Sequence, residues 1–384
     1  MLTIIRLLVL ASLVSLTACA DVQESLFDVG LKAERAMSGL QLQRMSVAEH
    51  DWSYLDSAPG DDTKPLLLML HGFAVDKDNW LRFARHFDGY RVVAPDLPGH
   101  GETSYNPGFT YDFAQQALWL NDFVDALQLQ NIHIMGNSMG GGIALLYSYA
   151  RPDKVRSITL IDAAGVYPPE KSELQQILDS GGKNPLIVEN IDDFQALSEF
   201  AMEQQPFLPW PAKNVLARRA QARNDINSKI FADIHAVAEA AKTSDDNLIM
   251  LQQIHQPVLI LWGEQDRALD VSSVAVFEQH LPDSRSFIFP HIGHAPMLEA
   301  PDDSAALVLE FIQGLERKPQ SKRKPQSNLN AESAQPVSRT EVAAKLAPFQ
   351  RAAADAQASN GAKSSTETRT QASPQANTDI AVSD

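Results

Sequence analysis

Residues 136–142 read Gly-Asn-Ser-Met-Gly-Gly-Gly, with the β-like run Asn-Ile-His-Ile-Met before them and the apolar stretch Ile-Ala-Leu-Leu-Tyr-Ser-Tyr-Ala after them. A serine hydroxyl becomes a useful nucleophile only when a base takes its proton, a third group orients that base, and donors meet the developing oxyanion. Gly136, Ser138 and Gly140 match G-x-S-x-G, which holds its serine on a sharp turn between strand and helix. The flanking glycines let backbones pass where a Cβ would clash. Ser138 at the head of a helix would also face the positive end of the helix dipole. A flexible linker would not be framed by two apolar segments. A phosphate loop would carry a lysine after its glycines, as in G-x-x-x-x-G-K, and none follows here.

Several side chains could partner this serine. Carboxylates cluster after the apolar run Val-Leu-Ile-Leu-Trp, at Glu264, Asp266 and Asp270, and Asp162 ends a second run, Ile-Thr-Leu-Ile-Asp. The candidate bases are His71, His291 and His294. The chain has 10 histidines but no H-E-x-x-H and no Cys/His cluster, so the residue types imply neither a metal nor a cofactor.

The elements that must position these groups alternate between strand and helix from Glu49 to about Gly314. Pro-Leu-Leu-Leu-Met-Leu (65–70) is a continuous apolar run, as in a buried parallel strand. Residues 111–127 place Phe113, Ala117, Leu120, Phe123, Val124 and Leu127 on one helical face. The alternation predicts an α/β fold, a mostly parallel sheet with helices on both faces. Residues 165–254 interrupt it with helical stretches and the knot Gln-Gln-Pro-Phe-Leu-Pro-Trp-Pro. That insertion is far longer than the usual connection of about 2 to 6 residues, and it predicts a helical cap. Residues 49–164 and 255–315 form the expected core, 19–48 a helical lead-in, and 316–384 a low-complexity tail too poor in apolar residues to fold. Within the tail, Arg-Thr-Glu-Val-Ala-Ala-Lys-Leu-Ala-Pro-Phe (339–349) reads as a short helix.

His-Gly-Phe (71–73), Asp-Leu-Pro-Gly-His-Gly-Glu-Thr-Ser (96–104), the Ser138 stretch, Gly-Glu-Gln-Asp (263–266) and Gly-His-Ala-Pro-Met-Leu-Glu (293–299) occur in one order with suitable spacing. In these motifs the chain from about 49 to 315 resembles the α/β-hydrolase superfamily, and within it the bacterial lipases and carboxylesterases. The resemblance implies Ser138 as nucleophile, Asp266 as the triad acid with Asp162 as its rival, and His294 as base with His291 as its neighbour. It implies an oxyanion hole from the backbone N–H groups of Phe73 and Met139, with His71 shaping the loop. It also implies cleavage of carboxylic esters, on acylglycerols or other fatty-acyl esters, through an acyl-enzyme. Phe194, Leu197, Phe200, Phe207, Leu208 and Trp210 suit either an acyl pocket in the cap or the cap's own core. Two other readings stand beside this one: a carbon–carbon bond hydrolase of the meta-cleavage type, and a non-catalytic surface protein that kept the fold for binding.

The N-terminus has Arg6, an apolar segment from Leu7 to Leu16 too short to span a bilayer, and then Leu-Thr-Ala-Cys. Residues 1–18 read as a signal peptide, and the box resembles that of bacterial lipoproteins, with Cys19 as the lipidated residue. The order Cys19-Ala20-Asp21 suits outer-membrane sorting, so the expected location is the cell envelope of a Gram-negative-type bacterium. The alternative is an ordinary secretory signal and a secreted protein. Cys19 is the one cysteine, so no intramolecular disulfide can form. A net charge of −16 argues against nucleic acid as a partner. The expected partners are an ester or lipid substrate and, through the anchor, a membrane; no obligate protein partner is evident.

Overall fold

The computed structural model describes residues 2–241, 245–317 and 337–350. It opens with helix α1 (Leu2–Met37), followed by strands β1 (Gln41–Val47), β2 (His50–Asp56) and β3 (Leu66–Leu70). A 3-10 turn (Lys77–Trp80) leads to α2 (Leu81–Ala84), β4 (Arg91–Pro95), α3 (Phe113–Ala126), β5 (Ile132–Asn137), α4 (Met139–Ala150) and β6 (Val155–Ile161). The insertion carries α5 (Glu173–Asp179), α6 (Ile191–Ala201), α7 (Ala212–Ala222), α8 (Asn224–Ala241) and α9 (Asp246–Gln252). The core resumes with β7 (Val258–Gly263), α10 (Ser273–His280), β8 (Ser284–Phe289), α11 (Pro296–Glu299) and α12 (Pro301–Arg317).

The eight strands form one sheet in the order β1-β2-β4-β3-β5-β6-β7-β8. The β1–β2 and β2–β4 pairs are antiparallel and the others parallel. Side-chain alternation along a strand divides the core in two. Leu66, Leu68, Leu70, Val258 and Ile260 pack with α3, α4 and α10 on one face. Leu67, Met69, Leu259 and Leu261 pack with α2 and α12 on the other. Strands buried on both faces read as unbroken apolar runs, which is why β3, β5, β6 and β7 are legible.

Two expectations need correction. Residues 19–48 are not helical throughout. The helix stops at Met37 before Gly39, whose φ of +66 suits glycine, and residues 41–47 form edge strand β1 in a hairpin with β2. Only Met45 and Val47 of β1 pack against the core, and so weak an alternation is easily read as a loose helical stripe.

The tail expectation is also too broad. Residues 339–350 form a helix, named α13 here, that packs on the core; the rest of the tail from 318 lies outside the described residues. Val342 and Leu346 are fully buried and Phe349 nearly so. These positions, i, i+4 and i+7, put one apolar stripe on a segment of polar average composition. Phe349 meets Tyr149 of α4 edge-on, and Arg339 Nε donates to Asp122 of α3 at 2.9 Å. If this docking is part of the fold, Leu346→Ala should lower the unfolding free energy by about 2–5 kcal/mol in urea titrations. No change would mean that α13 contributes nothing.

Candidate active site

The parallel strands β3, β5, β6, β7 and β8 deliver the conspicuous residues at their C-terminal ends, where open α/β sheets bind ligands. Ser138 sits between β5 and α4 with φ +55 and ψ −119. A residue with a Cβ rarely adopts that conformation, and it persists only when its surroundings enforce it. The enforcement is visible. Ser138 N donates to Ile161 O at 3.0 Å, and Ser138 O accepts from Gly141 N at 3.0 Å and Ala164 N at 3.0 Å. A Cβ on Gly140 would lie 2.3 Å from Leu70 O, so α4 can start against β3 only with glycine there.

The His71–Phe73 loop lies alongside. His71 is fully buried; its Nε2 accepts from Leu97 N at 2.9 Å, and its Nδ1 lies 2.7 Å from Gly72 O. The Leu97 contact makes Nδ1 the protonated nitrogen, donating to Gly72 O. Burial pushes the His71 ring down to about 4, so it stays neutral and fastens the loop. The Phe73 amide has no hydrogen-bond acceptor among the described residues, and Met139, as the first residue of α4, has an N–H that the helix itself leaves unpaired. Phe73 is half-buried, and its ring lies 5.6 Å from that of Phe231 on cap helix α8.

Asp266 and His294 come together from different loops. His294 Nδ1 lies 2.7 Å from Asp266 Oδ2. Asp266 Oδ1 accepts from Ala268 N at 2.8 Å and Leu269 N at 3.0 Å, so the carboxylate is held on both oxygens. Neither Glu264 nor His291 joins this pair: Glu264 is exposed, and His291 is exposed in the turn beyond β8. Asp270 instead caps Ser272 N at 2.9 Å. The rival Asp162 is fully buried and lies beside the pair; one ligand atom each from Asp162, Asp266 and His294 fall within 4.8 Å of one another. Those three could surround a small cation by distance alone. However, Asp266 and His294 are bonded to each other, and Asp162 Oδ1 accepts from Gly263 N at 2.8 Å, so we assign no metal.

Two positioning groups escaped the sequence reading. Glu299, the last residue of the motif around His294, accepts from Gly293 N at 3.1 Å and Ala295 N at 3.2 Å, clamping both sides of the histidine. It also accepts from Glu203 N and Gln204 N of the cap, at 2.8 and 2.9 Å. Asn137 Nδ2 donates to His294 O at 3.2 Å and Ile161 O at 3.1 Å, tying the residue before Ser138 to the histidine loop. A carboxylate six residues after the last strand's glycine turn was the one signal for Glu299; its amide partners are set only by the fold.

The six large apolar residues of the cap divide. Phe200 is buried, Phe194 and Leu197 are half-buried, and Phe207, Leu208 and Trp210 are exposed, with Phe207 at 79%. Most of the six therefore do not serve as a buried cap core. A cavity of about 400 Å³ beside Asp266 is lined by charged groups, among them Lys171, Glu203 and Arg267, and neither Ser138 nor His294 lines it; it does not suit an acyl chain.

Residues 65–301 match the family model described as alpha/beta hydrolase fold. The chain belongs to this family. It is 32% identical over 280 residues to Lipase 1 of Psychrobacter immobilis, covering 72% of this chain and 85% of that one. It is 30% identical over 293 residues to monoacylglycerol lipase abhd6-B of Xenopus laevis, covering 73% and 85%. A solved structure described as a membrane phospholipase A and a bacterial virulence factor superposes with a TM-score of 0.73 at 38% identity, covering 83% of this chain and all of that one.

At Gly263 the α/β-hydrolase frame is packed too tightly for any side chain. A Cβ on Gly263 would fall 1.9 Å from Gly293 O. Gly263→Ala should therefore cost about 1–3 kcal/mol or more. Gly314→Ala on α12, where nothing lies within 4 Å, should be neutral or stabilising by about 0.5–1 kcal/mol. Equal effects in denaturant unfolding would contradict the contact.

Proposed function

We propose that the chain is a serine carboxylic ester hydrolase of the lipase/esterase type, with Ser138, His294 and Asp266 as its catalytic triad and fatty-acyl esters such as acylglycerols as substrates. The observation that carries the triad is the 2.7 Å bond between His294 Nδ1 and Asp266 Oδ2, at the sheet edge that presents the strained Ser138. With Nδ1 engaged, Nε2 is the nitrogen left for chemistry. His294 Nε2 takes the Ser138 Oγ proton as Oγ attacks the ester carbonyl. The amides of Phe73 and Met139 supply the oxyanion donors. His294 returns the proton to the departing alcohol, leaving an acyl-enzyme, and then activates the water that hydrolyses it. Asp266 holds the ring's tautomer and stabilises its cation. The names of the relatives, which include lipases, a monoacylglycerol lipase and a phospholipase A, support lipid esters as the substrate class. The apolar surface of Phe73 and Phe231 supports it too.

The wild type should release p-nitrophenol from acyl esters of graded length and take up a fluorophosphonate probe. Ser138→Ala should lose both, with kcat down by about four or more orders of magnitude. Labelling that survives in Ser138→Ala would move the nucleophile elsewhere.

The same reading includes a lipid anchor at Cys19 and residence in the cell envelope, neither of which requires the body to span a bilayer: among the described residues no helix is long and apolar enough to cross a membrane. The backbone of α1 runs through Cys19, whose side chain lies outside those described. Processing ahead of Cys19 would leave residues 19–37 on the body, held by the Arg35–Asp78 pair at 2.6 Å and the Arg219–Glu24 pair at 2.8 Å. Labelled palmitate should enter the wild type and not Cys19→Ser; equal labelling would remove the anchor.

A further inference from the structure

Asp162 directly follows β6, with its N–H donating to Leu261 O at 3.0 Å and a φ of +43. Its carboxyl is fully buried. One oxygen, Oδ1, accepts from Gly263 N at 2.8 Å. The other, Oδ2, is buried and has no donor among the described residues. The titratable groups facing it are Asp266 from the loop after β7, His294 from the loop after β8 and Glu299 on α11. Asp266 lies within hydrogen-bonding reach, and its own side chain is fully buried.

Two buried carboxylates this close cannot both be charged at low cost, and the pair shares a proton. The hydrogen bonds decide which one holds it. Asp266 accepts from Ala268 N, Leu269 N and His294, whereas Asp162 accepts from Gly263 N alone. More donors favour the anion, so the charge belongs on Asp266. We propose that Asp162 is a neutral carboxylic acid whose Oδ2–H donates to the Asp266 carboxylate, a positioning residue for the hydrolysis proposed above. Burial and the neighbouring Asp266 charge, which drive its carboxyl well above the usual carboxylate range, agree.

This inference rests on the triad reading and adds a positioning residue behind its acid. The donated proton takes up the lone pair of Asp266 that would otherwise face a buried, unsatisfied group. It also draws charge from Asp266, which makes the carboxylate a weaker partner for the His294 cation. The acidic limb of kcat/KM, where His294 must lose its proton to act as base, then lies lower than Asp266 alone would set it.

The sign of that limb's movement tests the proposal. Asparagine keeps a donor at the Oδ2 position and an acceptor for Gly263 N. Asp162→Asn should therefore leave kcat/KM within about threefold and the limb in place. Asp162→Ala removes the donor; it should lower kcat about tenfold at unchanged KM and move the limb upward in pH. If Asp162 were instead an anion, Asp162→Asn would delete a negative charge beside His294 and move the limb downward, or cut activity by orders of magnitude. Either result overturns the proposal, as does an Asp162→Ala profile identical to wild type. Should Asp162→Ala fail to fold, Asp162→Asn decides alone. A wild type that hydrolyses no ester and takes no fluorophosphonate overturns the hydrolase reading and this inference with it. An active wild type with an aberrant Asp162→Asn overturns this inference alone.

Discussion

The site depends on a backbone-to-backbone contact. The end of β7 and the loop after β8 lie so close that Gly263 has no room for a Cβ against Gly293 O. Hydrogen bonds zip the two segments together, from Glu264 N to Phe289 O and from Gln265 N to Ile292 O, each at 2.9 Å. This contact carries Asp266 into reach of His294 one residue beyond Gly293. The same Gly263 donates its N–H to Asp162. One glycine therefore sets the distances among Asp162, Asp266 and His294, and a second, Gly140 against Leu70 O, sets the start of the helix behind Ser138.

Around those contacts, buried charge is handled by backbone amides rather than by ion pairs alone. Asp266 accepts two amides besides its histidine, and Glu299 accepts from four, two of the histidine loop and two of the cap. Asp96 accepts from the amides of Lys77 and Glu102 as well as from the buried Lys77 ammonium at 2.8 Å. Amides are fixed by the fold and lose no rotamer freedom when they bond, so such carboxylates act as rigid staples.

The cap is part of this system rather than a separate cover. His294 N donates to Ala201 O at the end of α6, and Glu299 reaches the next two amides of the cap chain. Movement of that segment would pull on His294 itself, which links the cap to the geometry of the His294–Asp266 pair. The cap also leaves Phe207 and Trp210 largely exposed, with the Phe207 carbonyl accepting from Arg82 Nη1 at 3.1 Å. Chain segments that hold large aromatics in water depend on such local polar anchors for their shape.

Much of this was legible in the residue order. Continuous apolar runs announce strands covered on both faces, so the α/β class and the helical insertion follow from β3, β5, β6 and β7. The Ser138 stretch needs only local context, because strand, turn and helix are adjacent in the chain. Distance in the chain is where the reading ran out. Four carboxylates and three histidines had the right type, and only the crossing of the β7 and β8 loops joins Asp266 to His294 and leaves Asp162 beneath them. The β1 hairpin and α13 were missed or underrated for a related reason: each buries a few side chains against a surface assembled from remote segments. Local pattern determines which elements can form and which residues could react. Tertiary packing decides which of those residues meet, because hydrogen bonds of about 3 Å depend on backbone contacts between strands that no neighbouring residues encode.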